Sequence, residues 1–207
     1  GYTWTHDQGR LAIEKEYGNK IKTSFLENVA EGPDAARAIR QLAQAGNQLI
    51  FATSFGFMNP TIQVAKQFPK IHFEHATGYM RAPNVATYNA RFYEGRAVIG
   101  TIAGHMSKTG QAGYVASFPV PSVFSGTNAF LMGARSVNPN ATMQVVVINS
   151  WFDPQAATQA GTALLDNGCD LLFGIMDEAG YLQVAEQRGA KAVMWNSKVL
   201  ILDEPTA

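Results

Sequence analysis

Residues 143–177, MQVVVINSWFDPQAATQAGTALLDNGCDLLFGIMD, contain a strand, a helix and a second strand in sequence. Met143 to Ile148 is a short apolar run that reads as a strand. Asp153 then stands where an N-cap belongs, because its carboxylate can accept a free backbone N–H of the next turn. Pro154 follows at the first helical position, where its missing N–H costs nothing. Ala157, Ala160 and Leu164 recur at helical spacing and form the buried stripe of a helix running to Leu165. Leu171 to Ile175 is again apolar and short. A strand, a helix and a strand in this order are joined by a crossover, and such units build parallel sheets.

The same cycle extends in both directions. Downstream, a helix from Tyr181 to Arg188 leads to a strand at Ala192 to Met194. Upstream, a strand at Ala112 to Ser117 and a helix at Val123 to Ser136 precede the quoted stretch. Earlier still, Thr5 to Gln8 reads as a capping box opening a helix to about Tyr17, and Ile21 to Val29 alternates like a strand. Pro33 opens and Gly46 closes a helix that buries Ala35, Ile39, Leu42 and Ala43. Strands follow at Leu49 to Ala52, Ile71 to Phe73 and Val85 to Tyr88, with helices at Pro60 to Gln67 and Arg91 to His105. The polar, Gly-terminated segment from Met106 to Gly110 reads as a crossover. The expectation is therefore a two-lobed α/β protein, with residues 1–105 as a first ligand-binding lobe, 106–195 as a second and 196–207 as an atypical tail. A cleft between the lobes would be the natural ligand site.

Composition narrows the function. The chain has 207 residues, 46% hydrophobic and 15% charged, enough for one large or two small cores. Sixteen basic residues balance sixteen acidic ones, so no net positive field draws in nucleic acid or anionic lipid. No apolar run approaches the roughly 20 residues that span a bilayer, and no secretory signal follows Gly1. Cys169 is the only cysteine, which excludes an internal disulfide framework. No basic residue adjoins it, so it reads as a buried, inert thiol.

In open parallel sheets ligands lie beyond the carboxyl ends of the strands. Residues at those ends here are Ser54 and Phe55, Phe118 and Pro119, Ser150 and Trp151, Met176 and Asp177, and Trp195 and Asn196. Tyr2, Thr3 and Trp4 precede the first helix. Nearly every position pairs a ring with a small polar group, which suits a flat, largely uncharged molecule stacked between rings and fixed at its edge by a few hydrogen bonds. Asp177 could accept from ligand N–H or hydroxyl groups, or could cap the following helix. His72 and His75 would face opposite sides of a strand, which argues against a shared metal. The chain carries no dinucleotide fingerprint, nucleophile elbow or phosphate loop. No catalytic residue, metal or cofactor is implied.

The order of motifs resembles a known family. The opening Gly1-Tyr-Thr-Trp-Thr-His-Asp-Gln-Gly-Arg10 is similar to that of the basic membrane protein (Bmp) family, the substrate-binding subunits of ABC importers for purine nucleosides and bases. Phe51 to Phe57, His75 to Tyr79, Asn84 to Gly95, Asn149 to Pro154 and Leu182 to Glu186 match its later blocks in order, so the resemblance covers about residues 1–195. It implies the type I periplasmic-binding-protein fold, with lobes that close on ligand by hinge motion. It also implies a small-molecule purine ligand, an ABC permease as partner, and a periplasmic or membrane-anchored extracytoplasmic location, with no nucleic acid bound. In the family pattern Tyr2 corresponds to a base-stacking aromatic, Thr3 to its polar neighbour, Trp151 to a second-lobe aromatic and Asp177 to an acid near the ligand. Phe55, Phe118 and Trp195 rest on the strand-end argument alone.

Both ends depart from the family pattern. The usual first strand, signal peptide and lipoprotein cysteine are expected before Gly1, and segments returning to the first lobe are expected after the tail. Ser197 to Ala207 resembles the Walker B strand and following loop of an ABC ATPase, with Asp203 and Glu204 as its acids, but without a phosphate loop it has no nucleotide to serve. Two other readings compete with the receptor. One is a ligand-sensing regulatory module on the same fold. The other is an enzyme acting on nucleosides with Asp177 as acid or base, which release of free hypoxanthine from inosine would reveal.

Overall fold

Two parallel sheets organise residues 2–194, the part of the chain that the computed structural model describes. One unit comprises Thr3–Ala90, and the other runs from Arg91 onward and includes Tyr2. The division falls before the helix that follows Ala90, and that helix lies in the second unit.

In the Thr3–Ala90 unit, helix α1 (Tyr2–Tyr17) buries no residue. Arg10 pairs with Asp7 at 2.7 Å and Glu14 at 3.1 Å along one side of the helix, and its guanidinium lies 4.8 Å from the Phe25 ring centroid. The helix starts at Tyr2, so the capping box expected at Thr5 is wrong. Thr5 and Gln8 lie inside the helix, because nothing in Tyr2-Thr-Trp breaks it. Ile21–Val29 is also not a strand: it joins neither sheet, and Phe25 and Leu26 are exposed.

Helix α2 (Pro33–Gln44) has Pro33 in its first turn and ends before Gly46 at φ 88°, a left-handed position that glycine fills without strain. Strand β1 (Leu49–Ala52), helix α3 (Met58–Ala65), strand β2 (His72–Ala76) and strand β3 (Val85–Tyr88) complete the unit. The strands pair in parallel in the order β1-β2-β3, with Ile50 opposite Phe73 and Phe73 opposite Val85. These three, with Ile39 and Val64, form the core on the helix-covered face. Leu49 and Phe51 alternate onto the other face and are half exposed. The Asn84 amide donates to the carbonyls of Ala65, Phe68 and Ile71 at 2.9–3.1 Å, satisfying the end of α3 and the turn into β2.

The second unit alternates throughout: α4 (Phe92–Met106), β4 (Gln111–Ala116), α5 (Pro121–Val137), β5 (Thr142–Val147), α6 (Pro154–Asp166), β6 (Leu171–Gly174), α7 (Gly180–Gln187) and β7 (Lys191–Val193). Its parallel strands lie in the order β5-β4-β6-β7. Both faces are covered. Tyr114, Phe173 and Leu171 pack under Ala103 of α4 and Phe130 of α5, and Val115 and Leu172 pack under α6 and α7. The Phe130 and Phe173 rings stack with centroids 3.7 Å apart, and Tyr114 lies 4.4 Å from Phe173. Such pairs add about 0.5–1.5 kcal/mol each beyond the area they bury.

Helices α4 and α5 approach closely because glycines face backbone. A β-carbon on Gly100 would collide with the Phe130 carbonyl, and one on Gly133 with the Ala97 carbonyl. Arg96 of α4 is 5% exposed, donates to the Gly174 carbonyl at 3.1 Å and lies over the Phe173 ring. It thereby ties the helix to the carboxyl end of β6. The expected N-cap is present: Asp153 Oδ1 accepts the Ala156 N–H at 2.9 Å.

Candidate functional site

The order β5-β4-β6-β7 sets the geometry. After β4 the chain crosses to β5 on one side, and from β5 it returns to β6 on the other side of β4. The carboxyl ends of β4 and β6 therefore bracket a topological switch point, where loops diverge and leave a crevice. Ser117 and Phe118 follow β4, and Asp177 and Glu178 follow β6.

Three of the expected residues meet at this edge. The Phe118 and Trp151 rings are 5.1 Å apart between centroids at 53°, a tilted pair with both rings partly exposed. The Asp177 backbone N–H donates to the Trp151 carbonyl at 3.0 Å, which locks the loop after β5 to the loop after β6. Asp177 Oδ1 accepts the Tyr2 backbone N–H at 3.2 Å. Burial pushes the Asp177 carboxyl above its ordinary range, and the Tyr2 bond opposes the shift. Asp177 does not cap α7, which begins after Ala179. Ala179 is the N-cap and no side chain caps the helix, although Glu178 just before it accepts the Gly180 N–H through Oε2.

In the other unit, Phe55 follows β1 and its ring lies 6.4 Å from that of Tyr79. The loop is braced by Glu31, whose Oε1 accepts the Ser54 hydroxyl at 2.6 Å and the Gly56 N–H at 3.2 Å. His75, 1% exposed, contacts the Ser54 carbonyl through Nε2 at 2.8 Å, and burial lowers its pKa. His72 and His75 alternate across β2, exposed and buried. Among the described residues no group of acids, histidines and cysteines is arranged to hold a metal ion.

Each unit also carries a non-glycine residue in left-handed backbone at a strand exit, Thr77 at φ 63° after β2 and Asn149 at φ 53° after β5. Such positions cost about 1–3 kcal/mol and cluster where a chain is bent for binding. Thr3 and Trp4 do not precede the first helix but lie in its first turn, both exposed, Trp4 at 65%. Trp195 and the Walker B-like stretch lie outside the described residues. Sequence reasoning missed Tyr79, Glu31, Ser117 and Glu178. Only adjacency to Phe118 and Asp177 marked the last two.

A doubly covered parallel sheet with a switch point and ring-bearing strand exits defines the class as a type I periplasmic-binding-protein-like α/β solute-binding fold. Solved structures agree on that fold. An ABC-transporter solute-binding protein from Aeropyrum pernix K1 superposes with TM-score 0.74 at 21% identity, over 91% of this chain and 56% of that one. A transcriptional activator of the comK gene from Bacillus halodurans gives 0.75 at 23%, over 93% and 67%. The description "ABC transporter substrate-binding protein PnrA-like" (Bmp) matches residues 1–199, and the chain belongs to that family. It is similar to a purine-binding protein of Brucella abortus (strain 2308), 54% identical over 93% of this chain and 55% of the relative. It is also similar to a Haloferax volcanii protein named for ABC-transporter glucose binding, TsgA13, 40% identical over 95% and 49%. The chain spans about half the length of these two relatives. No helix among the described residues is long and apolar enough to cross a membrane.

Proposed function

We propose that this chain carries ligand-binding residues of an ABC-importer solute receptor for a purine base or nucleoside, held outside the cytoplasm and handed to a membrane permease. One observation carries the reading: the partly exposed Phe118–Trp151 ring pair beside half-buried Asp177, at the switch point of a parallel sheet. The rings supply stacking and the carboxylate reads the edge of the solute, Asp177 accepting from N–H or hydroxyl groups. Phe55 and Tyr2 are proposed as further ligand contacts. Thr3 and Trp4 have the weakest geometric support, being exposed on α1. The name of the B. abortus relative favours a purine, and the high identity supports carrying that class over. The name of the H. volcanii relative makes a hexose the competing ligand.

Binding without turnover is part of the proposal. Calorimetric titration with adenine, hypoxanthine, guanosine, inosine and glucose is the test. Saturable heat with a purine supports the reading, heat with glucose alone replaces the ligand class, and no heat with any of them removes it. Hypoxanthine appearing from inosine during incubation would overturn the claim that nothing is catalysed.

A further inference from the structure

Two buried polar atoms at the carboxyl edge of the four-stranded sheet have no hydrogen-bond partner, Ser117 Oγ and Glu178 Oε1. Ser117 is fully buried and Glu178 is 8% exposed. Ser117 is the first residue past β4 and Glu178 follows β6, so they flank the switch point from its two sides. Buried polar groups are almost always satisfied, and leaving one unmet costs about 1–3 kcal/mol. Both atoms lie at the sheet edge where this fold class receives its ligand.

Glu178 is fixed in place. Its Oε2 is held by the Gly180 N–H, and a β-carbon on Gly180 would crowd Oε2, the Thr158 hydroxyl and the Pro154 carbonyl. The carboxylate is thus wedged between the starts of α6 and α7, with one oxygen committed and the other unmet. Burial raises its pKa and the Asp153 charge raises it further, so a donor brought to Oε1 stabilises the ionised form.

We infer that Glu178, with the Ser117 hydroxyl across the switch point, is a specificity-determining position of the solute site. Its Oε1 accepts an N–H or O–H from an uncharged solute. The inference rests on the proposed solute-binding function and adds to it the feature selected, a hydrogen-bond donor on the ligand. A solute lacking that donor leaves a dehydrated carboxylate oxygen unmet and is rejected.

The test is titration of the wild-type chain, Glu178→Gln, Glu178→Asp and Ser117→Ala with adenine, 9-methyladenine, 6-dimethylaminopurine and inosine, with melting temperature followed in parallel. Glutamine keeps an acceptor for Gly180 and turns a donor toward the solute. Aspartate keeps the charge and withdraws the oxygen by one methylene. The expected result is that each Glu178 variant weakens the best wild-type ligand by about tenfold or more. Discrimination against at least one methylated analogue should also collapse, and Ser117→Ala should give a smaller loss. A structural role alone would move the melting temperature and leave ligand preference intact, and that result overturns the inference. If Glu178→Gln does not fold, Glu178→Asp and Ser117→Ala decide. Wild-type binding with unchanged variants refutes this inference alone, whereas a wild-type chain that binds none of these four, nor hypoxanthine, guanosine or glucose, overturns the solute-binding function as well.

Discussion

Asp177 and Trp151 are joined through their backbones, the amide of one donating to the carbonyl of the other at 3.0 Å. Two residues 26 positions apart in the chain are thereby placed side by side at one sheet edge, an acid next to a ring that itself leans on Phe118. Because the tie is main chain to main chain, either side chain can be exchanged without releasing the loops.

That separation makes the rings testable one at a time. Trp151→Ala and Phe118→Ala should each weaken purine binding by about 1–3 kcal/mol if the pair is a stacking anchor. Phe152→Ala, which removes a neighbouring ring 65% exposed, should leave affinity unchanged. Calorimetry on the three variants decides.

Asp177 makes a signed contribution to stability. Its folded pKa lies above the unfolded value, so the folded state binds the proton more tightly. The stability this provides is complete below the ordinary aspartate range and is lost as pH rises through the folded pKa. Asp177→Asn keeps an acceptor for the Tyr2 N–H but cannot ionise. Urea midpoints measured across acid pH should therefore gain on wild type as pH rises through that window.

His75 acts in the opposite direction. Burial lowers its folded pKa below the ordinary histidine value of 6.5, so the unfolded chain takes up the proton first. Stability held above 6.5 is lost as pH falls toward the folded pKa. His75→Gln, which retains a donor for the Ser54 carbonyl, should flatten that part of the pH–stability curve relative to wild type in the same urea series.

The packing of α4 on α5 predicts opposite outcomes for two similar substitutions. Gly133→Ala pushes a methyl group into the Ala97 carbonyl and should cost about 2 kcal/mol or more. Gly95→Ala, on α4, meets nothing within 4 Å and should add about 0.5–1 kcal/mol through helix propensity. Thermal melts of both proteins check the pair.

Cys169 is 4% exposed, and burial followed by the Asp170 charge raises its pKa. A thiol reagent should label it only as fast as the protein opens, and labelling should become immediate in denaturant. Rapid labelling of the native chain would contradict this placement.

The alternating pattern was legible wherever an element has a sequence-local cause. Asp153 and Pro154 start α6 where a cap and an N1 proline belong, and the strands at Leu49, Val85 and Leu171 begin at the residues their apolar runs mark. Ile21–Val29 misled because alternation describes any extended chain, whereas a strand also needs a neighbour to receive its backbone bonds. Thr5 misled because a capping box is only a start signal if the preceding residues refuse helix, and Tyr2 to Trp4 do not. At the sheet edge, rings stood out against their surroundings. Ser117 and Glu178 did not, since serine and glutamate near a turn are ordinary, and only coordinates reveal which polar atoms are buried and unmatched.

The Arg96 guanidinium, sunk among aromatic rings and holding the Gly174 carbonyl, has a mechanical consequence. It makes the start of the Ile175–Asp177 segment a dependent of α4, on the opposite side of the sheet from α6 and α7. Losing that guanidinium would take this donor from the Gly174 carbonyl, three residues ahead of half-buried Asp177.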